Sequence, residues 1–203
     1  MRSFQAYIPD NLPPFPETND EKPLDIEIGC GVGLHPILYC QDNPERQLVA
    51  IEHTADKFEK FLRRAKNHKL HNLFPLHGNG ISLTAKYIKP ATVDRFLFMY
   101  PNPNPKPGDT NKRWHAMPFM GHVWKCLKDN GEVLIVTNEK WYHDEAIDYF
   151  RNEWHFPILR THSINSKSHP SWRPRTHFEK KYLERGETCY ELWLKKSQSP
   201  LGQ

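Results

Sequence analysis

The chain has 203 residues, 37% hydrophobic and 26% charged, enough to bury one sizeable core and too few for two domains. No apolar run approaches the roughly 20 residues of a membrane span, and residues 1–22 hold no apolar stretch of the kind a secretory leader needs, so a cytoplasmic, membrane-free protein is expected. The net charge of +4 permits a nucleic-acid partner without demanding one.

Residues 1–22 carry four prolines and read as an irregular arm, followed by one domain over 23–196 and a flexible tail at 197–203. A strand at Leu24–Ile28 runs into Gly29-Cys30-Gly31-Val32-Gly33 and then a helix at 34–42. Apolar runs at 48–51, 73–76, 96–100 and 133–136 alternate with helix-like segments at 54–67, 82–88, 116–128 and 139–153. Nearly continuous apolar strands spaced by helices indicate a parallel sheet buried on both faces, hence a doubly wound α/β fold. After residue 154 two runs, 155–164 and 188–195, lack a long helix between them and suggest an antiparallel hairpin at the sheet edge. In the second, Tyr190, Leu192 and Leu194 alternate with Glu191, Trp193 and Lys195 as in a half-buried strand.

Charge is unevenly placed. Residues 1–30 have a local balance of −4 and residues 160–196 one of +5. Lys57, Lys60, Arg63, Arg64, Lys66 and Lys69 cluster around the second helix, whose Phe58, Phe61, Leu62 and Ala65 repeat at buried-stripe spacing; the charges read as a solvated outer face. Cys30, Cys40, Cys126 and Cys189 contain no C-x-x-C pair and read as small buried residues. His68 and His71 lack a third ligand nearby, so no metal site is expected. Trp141, Tyr142, Tyr149, Phe150 and Trp154 recur at helical spacing and read as core, leaving Trp172 as the candidate for base stacking or for a lid over the sheet edge.

The glycine turn between strand and helix lets a ligand approach the backbone with no Cβ in the way. Its G-x-G-x-G spacing has Leu34 where the dinucleotide fingerprint needs glycine, which disfavours a pyrophosphate. Glu52, at the end of the second strand run, can accept both hydroxyls of a ribose. Together they fit an adenosine-containing ligand without a pyrophosphate, and S-adenosylmethionine is the expected cofactor. Asn79, after the third strand run, is placed to reach its adenine, although a plain turn explains Asn79-Gly80 equally well.

With these residues the sequence resembles the tRNA (guanine-N7)-methyltransferase family, which has a class I, Rossmann-like fold: a mostly parallel twisted sheet with an antiparallel C-terminal strand. Two further blocks carry the resemblance. Residues 98–106, FMYPNPNPK, are similar to the family's F-x-D-P-W-x-K loop, and residues 171–179, SWRPRTHFE, to its R-P-x-T-x-F-E element. The resemblance implies a transferase that modifies tRNA, with no DNA partner. It places Glu27, Gly29, Gly31, Gly33, Glu52, Asn79 and Asn102 at the cofactor, with Asn102 at the position of the proposed catalytic aspartate. Lys106, Asn138, Thr176, His177, Phe178 and Glu179 would face the nucleotide, and Lys106, Arg113, Arg173 and Arg175 its phosphates. Family aspartates at positions 79, 102 and 138 are all Asn here, and the loop 106–114 is poorer in basic residues. Two other readings stand beside this one. Asn102-Pro103-Asn104-Pro105 also resembles the N-P-P-aromatic motif of methyltransferases acting on adenine or cytosine amines, and the three asparagines are compatible with a catalytically weakened protein that binds cofactor or RNA.

Overall fold

The computed structural model describes residues 4–196; the expected tail at 197–203 lies outside them. One seven-stranded sheet organises the chain, in the order β3-β2-β1-β4-β5-β7-β6. Strands β1 (Leu24–Ile28), β2 (Gln47–Glu52), β3 (Leu73–His77), β4 (Val93–Met99) and β5 (Leu127–Thr137) are parallel, whereas β7 (Cys189–Lys195) runs antiparallel to both β5 and β6 (Ile158–Ile164). The mostly parallel class I methyltransferase sheet is thus the observed one. The last two strands pair antiparallel at the sheet edge as expected, with β7 between β5 and β6 and the short α6 (His177–Glu184) in their connection. Leu192 and Leu194 are buried while Trp193 and Lys195 are only partly so, as expected; Glu191 departs from that alternation, 6% exposed and bonded to Arg175.

Alternate residues of each strand feed two helical layers. In β4, Phe96 and Phe98 join Leu83 of α3 (Gly80–Tyr87), Phe119 and Val123 of α4 (Phe119–Cys126) and Tyr142 and Phe150 of α5 (Lys140–Asn152). Leu97 and Met99 face Ile37 and Cys40 of α1 (Leu34–Asp42) and Phe61 of α2 (Ala55–Lys66). All four cysteines are free and buried, and Tyr142, Phe150 and Trp154 are core. Two helices differ from their expected spans. Asn79 caps α3 and starts it two residues early. Helix α4 ends at Cys126, before the expected 128, because Leu127 is drawn into extended pairing with Val93.

Residues 4–22 form neither helix nor strand, yet they are packed. Phe4, Leu12 and Phe15 lie against the core, and Ser82 Oγ donates to the Tyr7 carbonyl at 2.7 Å. No helix among the described residues is long and apolar enough to cross a membrane.

Candidate active site

Strand β1 leads on one side to β2 and β3 and on the other to β4 and β5, so a crevice opens at the carboxyl ends of β1 and β4 where ligands of open α/β sheets bind. A cleft of about 560 Å³ occupies this place. Its first wall is the glycine loop. Gly29 and Gly31 hold φ of +81° and +62°, and a Cβ on either would meet nothing within 4 Å, so open space lies over the loop backbone. Gly33 differs: its Cβ would come within 1.9 Å of the Phe61 ring, and it does not line the cleft. Its absence of a side chain serves the packing of α2 on the loop.

Two carboxylates stand behind this wall. Glu52 Oε2 accepts from Gly31 N and Oε1 from Thr54 N, each at 2.8 Å. A carboxylate has about four acceptor positions, so one on each oxygen is left for a ligand. Glu27 Oε2 pairs with His35 Nδ1 at 2.7 Å, while its Oε1 is buried with no hydrogen-bond partner among the described residues. An enclosed carboxylate oxygen without a donor is costly; an ammonium or N–H group on a ligand would relieve it.

The second wall follows β4. Tyr100 and Asn104 take positive φ, and Asn102 Oδ1 accepts from Asn104 N at 3.2 Å, an Asx turn. Arg113 anchors the loop from behind. It is 5% exposed, donates from Nη1 to both Glu145 oxygens at 2.6 and 2.8 Å and from Nε to the Asn104 carbonyl at 3.1 Å, and lies 4.9 Å from the centre of the Trp141 ring.

The third wall is the start of α6. Thr176 Oγ1 accepts from Glu179 N at 2.9 Å, the N-cap bond that a T-x-x-E sequence encodes. The Glu179 carboxylate turns inward to Arg175 N at 2.6 Å and Arg175 Nη2 at 2.5 Å. It also accepts from Tyr100 Oη of the second wall at 2.9 Å. Burial favours its neutral form, but the bonds from Arg175 prevail and hold its carboxyl below the ordinary glutamate range. Arg175 in turn reaches Glu191 at 2.5 Å, and Trp172 packs over its guanidinium.

The structure therefore brings Glu27, Gly29, Gly31, Glu52, Asn102, Thr176, His177 and Phe178 to one cleft. Five other expected site residues lie off its surface. Gly33 packs on Phe61, and Glu179 is fully enclosed. Asn79 spends Oδ1 on capping α3, accepting from Ile81 N and Ser82 N, and borders a separate depression with Tyr7. Asn138 donates to Glu187 at 3.1 Å, and Lys106 is exposed outside the cleft. The expectation that Arg113 and Arg175 contact phosphates is corrected: Arg113 is consumed by the partly buried Glu145 and Arg175 by the buried Glu179 and Glu191. Arg173 is exposed. Sequence reading missed His35 and Met117 as lining residues; no motif spacing marks either. Lys57 and Lys112 are also in the lining; the first belongs to the basic cluster of the second helix and the second to the loop 106–114.

The chain is similar to proteins of known name. A protein from Nitrosospira multiformis named tRNA (guanine-N(7)-)-methyltransferase is 23% identical over 176 residues, covering 87% of this chain and 76% of its own. One of the same name from Treponema pallidum is 26% identical over 177 residues, covering 86% and 68%. Among solved structures, the 16S rRNA methyltransferase KamB superposes with a TM-score of 0.66 at 14% identity, covering 87% and 88%. A geranyl diphosphate methyltransferase with sinefungin bound superposes at 0.59 and 12% identity, covering 86% and 71%; these two likenesses show the fold. The family described as putative methyltransferase matches residues 21–192, and the chain belongs to it.

Proposed function

We propose that the chain transfers a methyl group from S-adenosylmethionine to N7 of guanine in tRNA, acting as a single domain over 23–196 in the cytoplasm. The observation that carries this reading is the convergence, in one cleft, of the glycine loop and Glu52 on one side with Asn102 and Thr176–Phe178 on the other. The relatives named above supply the substrate. Glu52 keeps acceptor positions for ribose hydroxyls, and the lone oxygen of Glu27 suits the amino group at the other end of the cofactor. Bound S-adenosylmethionine supplies an electrophilic methyl on a sulfonium.

The chain's own residues have an alignment task. Guanine N7 carries a lone pair and no proton, so no general base is required. Asn102 and the Asx turn it closes set the floor beside the incoming base, Phe178, 48% exposed, offers an aromatic face, and Lys112 adds a cation at the rim. A neutral Asn102 orients groups by hydrogen bonding but does not offset the positive charge that the purine acquires. The amine-methylating reading is less well supported, because Pro105 stands where its motif has the aromatic stacking residue.

The deciding experiment incubates the purified chain with labelled S-adenosylmethionine and bulk tRNA and treats the product with borohydride and aniline. Strand scission at the labelled nucleoside is expected, since N7-methylguanosine is labile to this treatment. Label in a nucleoside that resists scission would favour amine methylation. Cofactor binding by calorimetry without incorporation at stoichiometric enzyme would identify an inert binder.

A further inference from the structure

Arg113 and Arg175 of the two substrate walls face inward, and Lys112 at the rim is paired with Asp109 at 2.8 Å, whereas a further group of cations stands beside the cleft on α2. Lys57 lines the cleft, and Lys60 and Arg64 follow it at i+3 and i+7, so the three share one stripe of the helix. All three are exposed, and among the described residues none forms an ion pair with a carboxylate. Phe61 of the same helix is fully buried against the sheet, which fixes the direction in which the stripe points. Asp56 stands one turn before Lys60, at i and i+4, and Glu59 falls on the far side of the helix from Lys57 and Arg64. Arg64 closes the remaining distance to the arm: its Nη1 donates to His177 Nε2 at 2.7 Å and to the Val32 carbonyl at 3.2 Å. Helix α2 therefore meets the first turn of α6 at the glycine loop, at the edge of the cleft.

We propose that the stripe Lys57–Lys60–Arg64 is a docking track for the sugar–phosphate backbone of RNA, holding the strand that flanks the reacting nucleotide against the rim of the cleft. The inference rests on the nucleic-acid substrate proposed above. Charge complementarity selects the occupant: exposed cations with no carboxylate partner among the described residues bind phosphates with release of counterions. The stripe also has a fitting length. From residue 57 to 64 the helix rises about 10.5 Å, the axial span of about three nucleotides at about 3.4 Å each. The basic face of α2, expected from sequence to be a solvated outer surface, thus takes the place that Arg113 and Arg175 vacate.

The test measures tRNA affinity across a series of salt concentrations for the wild type, for the triple variant Lys57→Gln, Lys60→Gln, Arg64→Gln, and for Lys66→Gln on the far flank. The triple variant should bind at least about tenfold more weakly, and its slope of log K against log salt should be shallower by about 2 to 3. Lys66→Gln should keep the wild-type slope. A triple variant with the wild-type slope, in a protein that still binds and methylates tRNA, overturns the docking track and leaves the proposed function standing. A wild-type protein without measurable affinity for tRNA overturns both. Should the triple variant fail to fold, Lys60→Gln alone, exposed and unbonded, should make the slope shallower by about 1, and an unchanged slope there has the same meaning.

Discussion

The walls of the cleft treat their charges in opposite ways. On the cofactor side, Glu27 and Glu52 sit at strand ends and keep oxygen acceptors available to the cleft. On the side proposed for substrate, the loop 101–114 and the arm 171–179 turn Arg113 onto Glu145 and Arg175 onto Glu179 and Glu191, while Arg173 stays exposed. The first arrangement holds Glu52 in place with two backbone N–H donors and Glu27 with the His35 ring. The second spends charged side chains on holding irregular backbone still, because neither segment has sheet hydrogen bonds to fix it. Tyr100 Oη on Glu179 then ties the loop to the arm.

The largest effect should come from breaking that inward network. Arg175→Ala leaves Glu179, fully buried, and Glu191, 6% exposed, without their cation, and removal of one partner of a buried pair costs about 3 to 5 kcal/mol. Urea unfolding should show a loss of this size, with Arg175→Lys recovering only part of it, since an ammonium cannot bridge two carboxylates as a guanidinium does. A loss below about 1 kcal/mol would show that the arm does not depend on this arginine. Gly33→Ala should come next, at about 2 to 4 kcal/mol, from left-handed strain and from the clash with Phe61. Gly31→Ala, with open space around it, should show the strain alone; equal losses at the two positions would contradict the packing role of Gly33.

The same contrast explains what could be read from the chain before its fold was known. The apolar run of β4 and the glycine turn are local: each follows from a few neighbouring residues and their allowed backbone angles, so the sheet and the loop were legible, whereas α6, capped by Thr176, was not expected between the last two strand runs. Nor was the fate of Arg113 legible. Its partner Glu145 lies 32 positions away on a helix whose orientation only the fold decides. Arg175 similarly needed β7 to enter between β5 and β6 before Glu191 could face it. Asn79 was ambiguous from the outset, and its capping bonds to Ile81 and Ser82 select the turn reading for its carbonyl oxygen.

On the cofactor side the effects should appear in binding rather than folding. Glu52→Ala should weaken S-adenosylhomocysteine binding by about an order of magnitude or more, the loss of one charge-assisted bond of roughly 1.5 to 3 kcal/mol. Calorimetry giving unchanged affinity would sink the assignment of this wall. Asn102→Asp, across the cleft, should raise the transfer rate by about tenfold or more with little change in cofactor affinity, as expected for an interaction made only in the transition state. A fall in rate would favour the amine-methylating reading.

The smallest effect is a pH dependence lodged in the loop's anchoring network. His115 is fully buried, with Nε2 at 2.8 Å from Glu145 and the Tyr142 and Tyr149 rings against it. Burial lowers its pKa below the ordinary value of 6.5; Glu145 opposes that shift and Arg113 reinforces it. The unfolded chain regains the ordinary value, so below pH 6.5 the unfolded state takes up a proton that the folded state refuses. The stability contributed by neutral His115 is complete above pH 6.5 and is lost as pH falls toward the lowered folded value, at up to about 1.4 kcal/mol per pH unit. Thermal unfolding between pH 7.5 and 5.5 should therefore show a declining Tm, and His115→Gln, which cannot titrate, should flatten the decline. An identical decline in the variant would place the titrating group elsewhere, outside the Arg113–Glu145 anchor that separates the substrate wall from its counterpart.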